Sequence, residues 1–130
     1  MSQDNVDAVR RAVDAANRGD QESVFDLLDE AVVWEPRRAG IEGAYRGVEG
    51  LRKFWADTRE NFELFELHLD DVRDLGDSVL TIGTIRVRGT GSGAETEVPV
   101  AAIWTFTAGR LVHYKDYGEA SLALEAAGLT

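Results

Sequence analysis

Apolar residues recur at helical spacing in some stretches and at every second position in others, and the switches between the two periods divide the chain. Val6, Val9, Val13 and Ala16 fall on one stripe of residues 4–18, with Asp4 and Asp7 in the first turn and Gly19 at the end, which predicts an amphipathic helix. Asp20 can cap a second, shorter helix that carries Val24, Phe25, Leu27 and Leu28 and ends at Asp29-Glu30. A first strand follows, Ala31 to Pro36, and then a glycine-containing stretch, Arg37 to Ala44, with little periodicity. Val48, Leu51, Trp55 and Phe62 mark the buried side of a third helix, roughly Val48 to Phe62.

Beyond that helix the period becomes two. Phe65 to Leu75 alternates apolar residues with Glu66, His68 and Asp70, a half-buried strand closed by the turn Gly76-Asp77. Val79 to Arg88 puts Ile85 and Val87 on one face and Arg86 and Arg88 on the other. In the run that ends at Thr107, Val98, Val100, Ala102, Trp104 and Phe106 share one face. Pro99, Ala101, Ile103 and Thr105 share the other, so both faces are largely apolar and the strand is expected in the middle of its sheet. Ala108-Gly109 reverses the chain into Leu111 to Tyr117, where Asp116 shares a face with Val112 and Tyr114. A carboxylate there is costly unless it is paired, hydrogen-bonded or lining a wet cavity. Glu119 to Ala127 closes as a helix with Gly128 as its left-handed stop. Helices, a short strand, another helix and four antiparallel strands describe an α+β domain whose helices cover one face of a curved sheet, a cone with an open mouth.

Composition narrows the function. The 130 residues, 1–130, make one domain with one core. A net charge of −10 repels phosphate backbones and anionic lipid, so neither nucleic acid nor a membrane is an expected partner. With no cysteine and two histidines, thiolate and histidine-rich metal sites are excluded. There is no membrane-length apolar run and no signal-peptide pattern, and a cytoplasmic protein is expected. The stretch Gly89-Thr90-Gly91-Ser92-Gly93 links two strands and opens no helix, so it reads as a hairpin and not a phosphate loop.

Four strings in this order, "NRGDQESVFDLLDEAVVWEP" (Asn17 to Pro36), "YRGVEGLRKFW" (Tyr45 to Trp55), "WTFTAGRLVHYKDY" (Trp104 to Tyr117) and "LEAAGL" (Leu124 to Leu129), resemble the nuclear-transport-factor-2-like superfamily. Within it the chain is similar to SnoaL-like and ketosteroid-isomerase-like small proteins. The resemblance implies a cone-shaped α+β fold with a C-terminal helix, and a cavity that takes a small apolar molecule. It implies either a cofactor-independent isomerase, cyclase or dehydratase working on a carbonyl compound by carboxylate acid–base chemistry, or a ligand-binding or dimerisation domain without chemistry. A homodimer through the outer sheet face, where Arg86 and Arg88 are expected to project, is also implied.

Residue by residue, Glu35-Pro36 stands where ketosteroid isomerases carry their general base, while the two oxyanion donors of those enzymes fall at Ala12 and Ala102. Losing one such donor costs on the order of 2.7–4 kcal/mol of transition-state stabilisation, which argues against ketosteroid isomerisation by the familiar mechanism. If Ala102 faces the cavity, so do Val100 and Trp104, and on the last strand Val112, Tyr114, Asp116 and Gly118. Asp116 resembles in location the acid/base of SnoaL-type cyclases. Glu35 and Asp116 are thus the candidate catalytic pair. Tyr45, Trp55, Val100, Ala102, Trp104 and Tyr114 are the candidate ligand contacts, with Tyr114 or the Trp104 indole as polar partner. Two competing readings stay open: Glu35 as a rim carboxylate neutralised by Arg37 or Arg38, and Asp116 as a structural acceptor for Tyr45, Tyr114 or backbone amides. If the two carboxylates share a cavity, repulsion would hold one protonated near neutrality. His68 is expected in solvent and His113 exposed or at a subunit contact.

Overall fold

The computed structural model describes residues 2–36 and 43–129. Its elements run α1 (Ser2–Asn17), α2 (Gln21–Phe25), β1 (Leu28–Glu35), β2 (Tyr45–Arg46), α3 (Gly47–Asn61), β3 (Phe62–Asp74), β4 (Ser78–Gly89), β5 (Glu95–Thr107), β6 (Arg110–Asp116) and α4 (Ala120–Ala126). The strands form one six-stranded sheet in the order β2-β1-β6-β5-β4-β3. Only β1 and β6 pair in parallel; every other neighbour is antiparallel. β5 lies between β4 and β6, and its two apolar faces suit that interior place.

β4 and β5 contribute alternate residues to two cores. Val79, Ala102, Trp104 and Tyr114 join Val9, Val32, Trp34, Leu51 and Phe54 in the inner core beneath α1 and α3. Leu80, Ala101 and Ile103 point the other way, and α4 packs there through Ala123 and Leu124. The last helix therefore lies on the outer face, so the helices do not all cover one face.

Several boundaries differ from the sequence reading. α2 stops at Phe25 and Leu28 already pairs with Leu111, so Leu27 and Leu28 lie outside the helix and β1 opens three positions before Ala31. α2 is one and a half turns long, held by Asp20, whose carboxylate accepts from the Ser23 N–H (3.3 Å) and hydroxyl (2.6 Å). In α3 the most deeply buried residues are Leu51, Phe54 and Thr58, with the expected Val48 and Trp55 part-buried against the same core at the margin of that face; Phe62 opens β3.

Local chemistry fixes the joints. Asn17 ends α1 by clamping the edge strand: its Nδ2 donates to the Leu67 carbonyl (2.8 Å) and its Oδ1 accepts from the Leu67 N–H (2.9 Å). Ala108 (φ 51°) and Gly109 (φ 78°) are both left-handed, the geometry of the tight turn that matches strand twist. A bulge where Thr105–Phe106 meets His113–Leu111 brings Leu111 to the inner core beside Phe106, although strict alternation puts it on the opposite face. At α4, the Leu129 N–H reaches back to Leu124 O (2.9 Å) after Gly128 (φ 73°), the expected left-handed stop; the Leu129 side chain stays 46% exposed and does not seal the last turn.

Candidate functional site

The inner face of the sheet and the helices enclose an open hollow of about 200 Å³. Its floor is built by strand alternation. On β1, Val32 and Trp34 point inward, and on β6 Tyr114 and Asp116 do the same. Registering Trp34 with Tyr114 and Tyr114 with Trp104 places three large rings side by side on three adjacent strands. Trp34 stacks on Tyr114 at 3.8 Å with 11° between planes, and Trp104 stands edge-on to Tyr114 at 4.9 Å and 84°. The opposite wall comes from Phe54 and Trp55 of α3 and from Phe65 and Leu67 of β3, with Ala12, Val13 and Ala16 of α1 closing the back.

Polar groups on this wall are few and mostly engaged. The Trp104 Nε1–H donates to the buried Thr81 hydroxyl at 2.9 Å, so the indole expected as a polar partner is already satisfied within the core. Thr58 donates its hydroxyl to the Phe54 carbonyl (2.8 Å). The N–H groups of Trp34 and Trp55 are sealed from solvent and have no acceptor among the described residues. Tyr114 is buried, and that burial, followed by the charge of Asp116, raises its phenol far above the ordinary value. The hydroxyl therefore stays neutral throughout the physiological range.

Asp116 lines the hollow, as its parity requires. It also secures the end of β6: its Oδ1 accepts from the Gly118 N–H at 2.8 Å and from the Ala101 N–H at 3.3 Å. The two readings left open by the sequence coexist in one side chain, a cavity carboxylate oriented by backbone amides.

Glu35 is elsewhere. Because successive side chains on a strand alternate, Trp34 inward sends Glu35 outward. On the outer face His113 Nε2 lies 2.5 Å from Glu35 Oε2, both half-buried. The two carboxylates therefore do not share a cavity, and the mutual repulsion expected of such a pair does not arise. Counting from the resemblance put Glu35 in the position of a base; the pleat puts Trp34 and Pro36 on the hollow in its stead. His113 is engaged by Glu35. Arg37 and Arg38, the alternative partners, lie outside the described residues.

Of the other expected contacts, Trp55, Trp104 and Tyr114 line the hollow. Val100 and Ala102 are packed out of reach in the sheet, and Val98 and Pro99 of the same strand take their place on the wall. Tyr45 pairs with Trp34 across β1 and β2 and meets Phe54 edge-on at 5.3 Å, outside the hollow. The sequence reading missed Trp34, Phe54, Phe65 and Ile85 as lining residues. Alternation from Val32 was the available signal for Trp34; for Phe54 there was only its position one turn beyond Leu51.

A curved six-stranded sheet folded over N-terminal helices, with a C-terminal helix behind it, defines the NTF2-like class. The chain belongs to the SnoaL-like domain family, whose model matches residues 9–114. Similar solved structures include an NTF2-like protein of unknown function from Burkholderia pseudomallei, with 21% identity over 94% of this chain and 95% of that one, at a TM-score of 0.81. A putative SnoaL-like polyketide cyclase from Jannaschia shares 21% identity over 98% of this chain and 93% of that one, at 0.78. A ketosteroid-isomerase-like fold from Catenulispora acidiphila, solved in complex with trimethylamine, shares 18% over 95% and 93%, at 0.76. No curated protein matches the chain.

Proposed function

We propose that the hollow binds one small, largely apolar molecule and that Asp116 exchanges a proton with it, in a cofactor-independent isomerisation, cyclisation or dehydration of a carbonyl compound. The observation that carries this reading is a backbone-oriented carboxylate on the rim of an otherwise aromatic and aliphatic wall. Low polarity around a carboxylate strengthens its pull on a nearby acidic C–H or O–H, and two amide N–H groups fix the direction from which it acts. The neutral Tyr114 hydroxyl is the complementary donor for oxygen charge that builds up on a substrate. Glu35 has no part in this scheme.

A second reading, binding without chemistry, is favoured by the donor count. Ala12 and Ala102 stand where the resemblance puts oxyanion donors, and the Trp104 N–H is spent on Thr81.

The two separate on Asp116→Asn, which keeps an oxygen for the Ala101 and Gly118 amides and removes the base. Assayed on a panel of ketones, enones and epoxides, wild type should show turnover that Asp116→Asn reduces at least about a hundredfold, the scale of general-base catalysis, with the melting temperature little changed. Glu35→Gln should retain turnover. A variant as active as wild type would remove Asp116 from the mechanism, and saturable binding with no turnover on any of the panel would favour the binder.

A further inference from the structure

The size of the hollow and one unused donor in it narrow the ligand further. Sites for drug-sized molecules run to about 300–1,000 Å³, whereas this hollow offers about 200 Å³. An engineered apolar cavity of about 150 Å³ takes up benzene, so the space here suits one six-membered ring with a small substituent. The walls have little freedom to widen. On the floor Trp34 is stacked on Tyr114 and Trp104 stands edge-on to it, so these rings are committed to one another and present a fixed apolar surface. On the opposite wall Trp55 meets Phe54 edge-on at 5.4 Å and Phe65 at 6.1 Å. Asn17 fastens Leu67 of β3 to the end of α1 by two hydrogen bonds, which holds that wall in place. Room for a second fused ring requires breaking ring contacts, the strain that overpacking a core costs.

A buried tyrosine hydroxyl ordinarily finds a hydrogen-bond partner. Tyr114 is 6% exposed and lines the hollow, yet its hydroxyl bonds to none of the described residues. The unpartnered side-chain atoms shut off from solvent are the Trp34 and Trp55 nitrogens, and this hydroxyl is not among them. It meets the hollow with its proton unspent, and an acceptor oxygen on a ligand is the partner of matching chemistry.

We infer that the hollow selects a molecule of one six-membered ring whose oxygen accepts a hydrogen bond from Tyr114, and that it turns away fused polycycles. The inference rests on the hollow being a ligand site and holds whether or not Asp116 does chemistry.

The test is titration calorimetry of the wild-type protein with cyclohexanone, its hydrocarbon isostere methylenecyclohexane, and the fused two-ring ketone 2-decalone. Added apolar area ordinarily tightens binding. Here 2-decalone should bind at least about tenfold more weakly than cyclohexanone, and Phe65→Ala, which clears space on the wall, should reverse that order. In Tyr114→Phe cyclohexanone should lose at least about threefold in affinity and methylenecyclohexane little, a contrast that general loosening of the fold does not give. Binding of 2-decalone as tight as that of cyclohexanone, or equal losses of ketone and hydrocarbon in Tyr114→Phe, would overturn the inference while the hollow remained a ligand site. Binding of none of the three would overturn it together with the reading of the hollow itself.

Discussion

Tyr114 shows how one residue's surroundings become a property of the whole protein. Burial against Trp34 and Trp104, and then the neighbouring Asp116 charge, raise its phenol above the value it has in the unfolded chain. A raised acid contributes stability that is fully present below the unfolded value, about pH 10, and is lost as pH climbs toward the folded one. Above pH 10 the unfolded chain gives up this proton and the native chain keeps it, so unfolding becomes easier by about 1.4 kcal/mol per pH unit from this group alone. Urea midpoints of wild type and Tyr114→Phe should therefore run parallel from pH 7 to 9, and above about 10 the wild-type midpoint should fall relative to that of the variant, which has no phenol at this position to titrate. Parallel lines to pH 11 would mean that Tyr114 is not sealed. Asp116 makes a related point about legibility: its awkward place on an apolar strand face was visible in the alternation, but its two amide partners were not, since one of them, Ala101, comes from the adjacent strand.

At the scale of elements, the curvature that opens the hollow depends on β3 bending around β4. The pairing slips between Leu69 and Asp71, leaving Asp70 as an extra residue, and Gly83 sits opposite Leu69 at that point. A Cβ at Gly83 would stand 2.0 Å from the His68 carbonyl oxygen, which is backbone and has no rotamer to yield. Gly83→Ala should cost about 1–3 kcal/mol, as overpacking typically does, read from denaturant unfolding, and it should weaken ligand uptake by flattening the wall that carries Leu67 and Ile85. A variant of unchanged stability would show that β3 has slack there. Nothing in the one-dimensional pattern marks this contact. A glycine within an alternating strand hints at close approach, but the partner strand must be present to name the atom.

For the molecule as a whole, assembly concerns the outer face. α4 covers Leu80 and Ala101 completely and leaves Ile82, Ile103 and Thr84 half-buried, with Leu122 47% exposed nearby. A second copy related by a two-fold axis, the commonest symmetry of soluble oligomers, would cover such a surface. Sedimentation velocity should return the mass of a dimer, and Thr84→Arg, which places a charge on that face away from the hollow, should return a monomer that still binds its ligand. A wild-type monomer at every concentration would show that α4 alone suffices as cover.

Apart from β2, which has no strand period of its own, the order of helices and strands, the central place of β5, the outward arginines of β4 and the shared face of Tyr114 and Asp116 were legible in the sequence, because each follows from a local period of 3.6 or 2; that this face looks inward came from the resemblance. Glu35 was misplaced because matching a family position overrode the period: Trp34 and Glu35 are adjacent on one strand and cannot face the same way. Three-dimensional packing alone decided what local periodicity cannot encode. It brought Phe54 and Phe65 to one wall from separate elements, bulged β6 so that Leu111 turned inward, and spent the Trp104 indole on Thr81, 23 positions earlier in the chain. A site is defined by which elements meet, and that depends on contacts between residues far apart along the chain.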